Sequence, residues 1–277
     1  MGNVEQEIED GFFSVGNQIC FDLDSAYNTF SDGQIIFDIV GLQHFELTSQ
    51  PGYFANIVFA CHSFVQRAQM NVDNTNVGGW DVTRMRHWLN GYENTHGYYQ
   101  RRPSTQYERY YFTESGYNSE GRTGTVTNTT DLKEIYAQSV WGKLPLVLRA
   151  MIATVNVIAS IGNQSSTMKT SADKLFLFSS RELFGQTSPA SIANEVNLNG
   201  NSNYYSFPFF VNNNTFGYRI KNMPGSTSGD YWWCRSSEPT NSTYFRNVNN
   251  IGNSNGYNAN NSYGVVFGFC IGIPQSS

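Results

Sequence analysis

Short alternating runs of apolar and polar residues dominate the chain, and helical periodicity is rare. Residues 11–23 (GFFSVGNQICFDL) read as a hairpin turned at Gly16-Asn17, with Phe13, Val15, Ile19 and Phe21 at alternate positions. Strands follow at 34–42 (QIIFDIVGL) and 57–60. The clearest helix is 81–90: Asp81 can cap it, Val82, Met85 and Leu89 share one face, and Asn90-Gly91 ends it. Residues 91–128 are polar and rich in Tyr, which predicts a long loop or insertion. A second helix opens at Thr130-Asp131 and runs to Val140, and a short third spans 144–150. Residues 151–161 and 173–179 read as strands, and a helical turn starts at Ser180. The Asn- and aromatic-rich stretch 194–222 contains Pro208, which forbids a central strand. Two β-prone apolar runs, 231–234 (YWWC) and 265–271 (VVFGFCI), close the pattern. No fixed-period repeat is present.

Between those last two runs the composition changes. The 24 residues from Thr240 to Tyr263 include 9 Asn, 3 Ser, 3 Tyr and 2 Thr, and Arg246 is their only charge. Tyr supplies a stiff amphipathic face at small entropic cost, and Asn and Ser supply adaptable donors and acceptors, the palette of antibody loops. Phe245, Val248 and Ile251 recur through the run, which disordered polar chain rarely keeps. Every residue in it is also of a type that a codon ending in C or T encodes; Lys, Gln, Glu, Met and Trp are absent.

Composition narrows the classes. With 277 residues, 15% aromatic and 14% charged, the chain is long enough for one large domain or two small ones with a sizeable core, and reads as rich in strands and loops. A net charge of -5 and a pI near 5.4 argue against nucleic acid or an anionic membrane as partner. No apolar run reaches the roughly 18 residues of a bilayer span. The first 13 residues carry four acids and no base, the reverse of a secretory signal, so folding inside a cell is expected. Cys20, Cys61, Cys234 and Cys270 each sit in an apolar run without CxxC spacing, which predicts buried free thiols; a Cys234–Cys270 bridge is the alternative. His44 and His62 lack further ligands at metal spacing and read as structural. No nucleophile elbow, phosphate loop or zinc helix occurs, so neither an enzyme, a cofactor nor a metal is expected.

The order of motifs carries a resemblance. GGW at 78–80 with TRMRHWLN at 83–90, LPL at 144–146 before the strand IATV, DKLFLFS at 173–179 with RELFG after it, WWCRS at 232–236 and GVVFGFCI at 264–271 resemble a family of uncharacterised domains frequent in phage structural proteins and gut bacteria. That family looks like a version of the C-type-lectin-like fold, which formylglycine-generating enzymes share. The resemblance implies an α+β domain of mixed small sheets with two or three helices and long loops. It spans 1–277 as one domain, with insertions near 91–128 and 194–222 and a binding segment at 231–263. In that fold an Asn-, Ser- and Tyr-dense C-terminal segment is similar to the variable region of proteins diversified by retroelements, whose copying alters adenines. The codon-ending bias is what such a history leaves.

Three functions compete on this reading. In the first, the chain is a hypervariable receptor-binding protein of a phage tail. Phe245, Val248, Ile251, Val266, Phe267 and Phe269 then pack. The ligand-binding residues are Tyr231, Ser237, Thr240, Ser242, Tyr244, Arg246, Asn247, Asn249, Asn250, Asn255, Tyr257, Asn258, Asn260 and Tyr263. The partner is a protein or glycan on a host-cell surface, the location is the virion or the cytoplasm before assembly, and a homotrimer is the implied oligomer. In the second, Glu238-Pro239-Thr240-Asn241 serves a calcium-dependent lectin, although from Tyr231 onward Glu238 is the only carboxylate and calcium takes roughly six to eight oxygens. The third is an oxidase, implied by fold kinship alone, and its close cysteine pair has no counterpart here: Cys234 and Cys270 stand 36 positions apart. Arg235, beside the Trp pair, reads as the partner of a buried carbonyl or acid. A virion structural part with fixed or no ligand specificity is the remaining alternative.

Overall fold

Apolar alternation at residues 34–42 becomes an interior strand of the largest sheet. A computed structural model describes residues 13–22, 34–71, 73–90, 99–101, 107–113, 116–123, 139–185, 206–211, 218–223 and 225–272. In it β1 (Gln18–Asp22), β2 (Gln34–Leu42) and β3 (Ile57–Cys61) form an antiparallel run, and β4 (Arg67–Ala68) belongs to a second sheet. Within the loop or insertion expected at 91–128, β5 (Tyr99–Arg101), β6 (Tyr107–Thr113) and β7 (Gly116–Thr123) make an antiparallel meander. After it come β8 (Ile152–Ala153), β9 (Val155–Ser160), β10 (Met168–Asp173), β11 (Leu175–Leu177), β12 (Trp232–Ser237), β13 (Tyr244–Val248), β14 (Ser254–Asn258), β15 (Tyr263–Gly264) and β16 (Phe267–Ile271). The helices are short: α1 (Arg84–Asn90), α2 (Val140–Lys143), α3 (Leu146–Met151), α4 (Ser180–Phe184) and α5 (Pro208–Val211). The architecture is thus mixed α+β, with mostly small sheets and five short helices among the described residues, where two or three were expected.

One sheet, curled into a half barrel, runs β1-β2-β3-β16-β11, with β8 also paired to β16. A five-stranded sheet runs β14-β13-β12-β15-β4, and β9 pairs with β10 separately. The two expected frame strands therefore lie in different sheets. They share one hydrophobic cluster, in which Phe269 stacks on Phe59 at 5.0 Å and meets Phe37 edge-on at 4.8 Å. Rings of this size fill the space between sheets with few rotatable bonds, which is how an aromatic-rich chain builds a stiff core.

Three local expectations need correction. Residues 13–17 make no hairpin arm; the Gly16 amide donates instead to Ile39 O at 2.8 Å, and Val15 is exposed. Cys20 points outward from the edge strand β1 and is exposed, while Cys61, Cys234 and Cys270 are buried; all four thiols are free, so no Cys234–Cys270 bridge forms. Asp81 does not cap α1. Trp80–Val82 form a single 310 turn, and Thr83 Oγ1 accepts the Arg86 amide at 3.2 Å as the true cap. Asp81 pairs with Lys169 at 2.6 Å instead, and Val82 is exposed while Met85 and Leu89 are buried. The helix expected at 130–140 falls largely outside the described residues. So does most of 194–222, though Pro208 opens α5 there, as a helical first turn tolerates.

Candidate ligand-binding face

Strand β12 is the anchor of the candidate site, and all six of its residues are buried. Trp232 Nε1 donates to Arg219 O at 2.9 Å and Trp233 Nε1 to Ala68 O at 2.8 Å. Arg235 is wholly enclosed. Its guanidinium grips Glu182 with two bonds of 2.7 and 2.6 Å and also donates to Leu177 O and Ile158 O. Burial alone would push the Glu182 carboxyl up, but Arg235 and then His44 outweigh it and hold it below the usual range. Glu182 also completes the cap of α4 with Ser179. The expected structural role of Arg235 is met by an acid and by carbonyls together.

From this anchor the chain builds outward. Strands β13 and β14 form a hairpin whose turn is closed by Asn249, its Oδ1 accepting the amides of Ile251 at 3.1 Å and Asn253 at 2.9 Å. The turn puts Ile251 at the tip, 56% exposed, which corrects its expected place in the core. Phe245, Val248, Val266, Phe267 and Phe269 are buried as expected.

Register divides the predicted face in two. Trp233, Asn247 and Asn255 form one cross-strand row, Phe245 pairs with Tyr257, and Tyr231 lies two residues before Trp233, so these side chains share one side of the sheet. On that side Tyr231 stacks on Tyr263 at 5.3 Å, Tyr257 meets both rings at 5.6 and 5.3 Å, and Trp233 lies 5.0 Å from Tyr263. Burial, and the neighbouring Tyr257 and Tyr231 oxygens, push the Tyr263 hydroxyl's pKa up. Tyr244, Arg246, Ser254 and Asn258 take the opposite side, where Arg246 pairs with Glu238 at 2.6 Å and Asn258 accepts from Asn74 at 2.9 Å.

Of the predicted residues, Thr240, Asn250 and Asn260 are exposed. Tyr231, Ser242, Tyr244, Arg246, Asn249, Asn255, Tyr257, Asn258 and Tyr263 are half-buried. Ser237 and Asn247 are buried, which corrects their expected place on an open surface: Ser237 follows a bulge in β12, and Asn247 lies on the interior strand β13, between β12 and β14.

Residues remote in sequence hold the segment in place. Asn76, fully buried, donates from Nδ2 to Asn241 O and Tyr244 O, both at 2.7 Å, and its amide donates to Ser242 O at 2.7 Å. Asn76 Oδ1 accepts the Asn163 amide at 2.8 Å, and Gln164 Nε2 donates to Thr240 O at 3.0 Å. Nothing local in the sequence around Asn76 distinguishes it from the other asparagines. Among the described residues no group of three or more His, Cys, Asp or Glu is placed to hold a metal ion.

A profile of the family DUF6273, described as a domain of unknown function, matches residues 55–273, which take in every strand of this face. The chain belongs to the DUF6273 family. Searches of curated proteins and of solved structures found no significant match. The DUF6273 region begins just before β3 and ends just after β16, so the whole sheet that carries the anchor falls within it, while β1 and β2 of the curled sheet precede it. No helix among the described residues is long and apolar enough to cross a membrane.

Proposed function

We propose that this DUF6273 protein is a hypervariable ligand-binding protein of a phage tail, a C-type-lectin-like scaffold that displays a retroelement-diversified face to a host surface. The observation that carries the reading is the way the Asn- and Tyr-rich segment is built. Its apolar residues Phe245 and Val248 are sunk beside Trp232 and Trp233, while Tyr231, Tyr244, Arg246, Asn255, Tyr257, Asn258 and Tyr263 stay half-open on strands and tight turns. Half-open positions of that kind change identity at less cost than the buried Phe245 and Val248, since the large losses come from emptied or overfilled cores. Aromatic and Arg side chains supply anchors, and asparagines an adaptable rim. The ligand is a protein or glycan on a host cell, and a trimer suits a tail fibre. A calcium lectin fits less well, because the Glu238 carboxylate is already taken by Arg246 at 2.6 Å.

Deep sequencing of the gene across a population of its source tests the proposal. Differences should concentrate at adenines in the codons for residues 240–263, with the codons for 232–236 and 265–271 constant. Variation spread evenly along the gene sinks the diversified reading.

A further inference from the structure

Asn247 occupies the centre of the tyrosine-bearing side of the sheet. It shares a row with Trp233 and Asn255, while Tyr231 lies one step along on β12's side and Tyr257 one step the other way on β14. Two side chains that start on diagonally opposite sides of a residue and still bring their rings within 5.6 Å must reach over it. Tyr263 closes the third side, and Asn247 is 0% exposed beneath them. Among the described residues neither its Nδ2 nor its Oδ1 has a hydrogen-bond partner. A buried amide left unpaired gives up its hydration for nothing, whereas an apolar side chain of similar volume on this interior strand would not. Asn247 is therefore a position where the fold forgoes stability.

We infer that Asn247 is the floor of a closed pocket for a saccharide ring, opened when the rings of Tyr231, Tyr257 and Tyr263 swing aside. The inference rests on the reading of this face as ligand-binding. An amide offers a donor and an acceptor on neighbouring atoms, which two adjacent hydroxyls of a sugar match, and the C–H face of the same ring lies flat on a tyrosine. Charge excludes the obvious competitors. Arg246 is paired with Glu238 on the opposite side, and Arg67 with Asp230, so an anion or a cation finds no free counter-charge there among the described residues. A purely apolar ligand would leave the amide as unpaired as before. An ammonium group carries donors only, so it would answer Oδ1 and leave Nδ2 unpaired, whereas two sugar hydroxyls answer both.

The test uses the full chain on an array of immobilised neutral and acidic glycans, with an array of Asn- and Gln-containing peptides beside it. The wild type should bind one or more neutral glycans. Asn247→Leu should weaken that binding at least tenfold and raise Tm by about 3 °C, because an unpaired amide is replaced by packing. A triple variant, Asn250→Ala with Asn255→Ala and Asn260→Ala, separates the two claims. If it loses binding while Asn247→Leu keeps it within twofold, the face binds ligand but the pocket is wrong. If both keep it, the face itself is wrong. A lower Tm for Asn247→Leu, binding to peptides alone, or no glycan bound at all, each overturns the pocket.

Discussion

A buried charge must recover from protein atoms what it loses in water, and Asp38 shows how fully this chain meets that demand. Its carboxylate, 3% exposed, takes Lys221 Nζ at 3.1 Å, His62 Nδ1 at 2.9 Å and Gln18 Nε2 at 2.8 Å. Burial pushes the Asp38 pKa up, but the hydrogen bond from His62 and the charge of Lys221 together outweigh it and bring it down to about 2, from 3.8. A carboxyl depressed in the folded state adds stability above its unfolded pKa, and that stability is lost as pH falls through the folded value. Urea unfolding at pH 4 and at pH 2 should therefore show a drop that is smaller by ~2 kcal/mol in Asp38→Asn than in the wild type. Equal drops would mean that Asp38 is not held in its charged form. At this scale the sequence was legible where chemistry forces one answer: a lone Arg235 among tryptophans has to find an acid or carbonyls, and it finds both. Asn247 was not legible. An asparagine in an asparagine-rich run reads as exposed, and only the register of β13 between β12 and β14 puts it under the rings.

Elements were readable where one face is apolar and unreadable where backbone pairing alone decides. The alternation of QIIFDIVGL gave β2 with its bounds, and the wholly apolar IVFAC gave β3. In contrast MKTSAD, which forms β10 against β9, offers little apolar pattern, and the polar, Tyr-rich stretch 99–123 offers none, so neither is legible as strand. Helix α1 is legible but its start is not, since Asp81 and Thr83 are both good caps and only the 310 turn before Thr83 chooses between them. The loop around Gly162 was also beyond reach, although it braces the candidate face. Gly162 has φ +70°, and a Cβ there would lie 1.8 Å from Asn76 O, the residue that clasps 241–244. Gly162→Ala should cost more than ~2 kcal/mol and speed amide exchange at residues 241–244. Gly225→Ala, at φ +78° with open space around it, is the control and should cost ~1 kcal/mol. Equal costs would show that the brace is slack.

Across the whole molecule the core is continuous from one sheet to the other, and the thiols sample both. Cys61 on β3 and Cys270 on β16 belong to the curled sheet and Cys234 on β12 to the other; burial pushes the Cys61 and Cys270 thiols well above their ordinary range. Cys20 stands alone outside. A thiol reagent at neutral pH should thus label one cysteine quickly, and the other three together at the rate of global unfolding. Rapid labelling of Cys234 alone would mean that the sheet carrying the candidate face opens by itself. The apolar character of 231–234 and 265–271 marks both runs as core, yet their division between sheets is not legible, because partners so far apart in sequence leave no local mark.

Trp232 and Gly264 run side by side in the same direction although 32 residues separate them. Parallel neighbours need a crossover, and here the crossover is the β13–β14 hairpin itself, with both its roots fastened about 4.8 Å apart. Lengthening or shortening its tip moves neither root. The arrangement resembles a loom with a fixed warp, on which the weft can be changed pass by pass without restringing the frame.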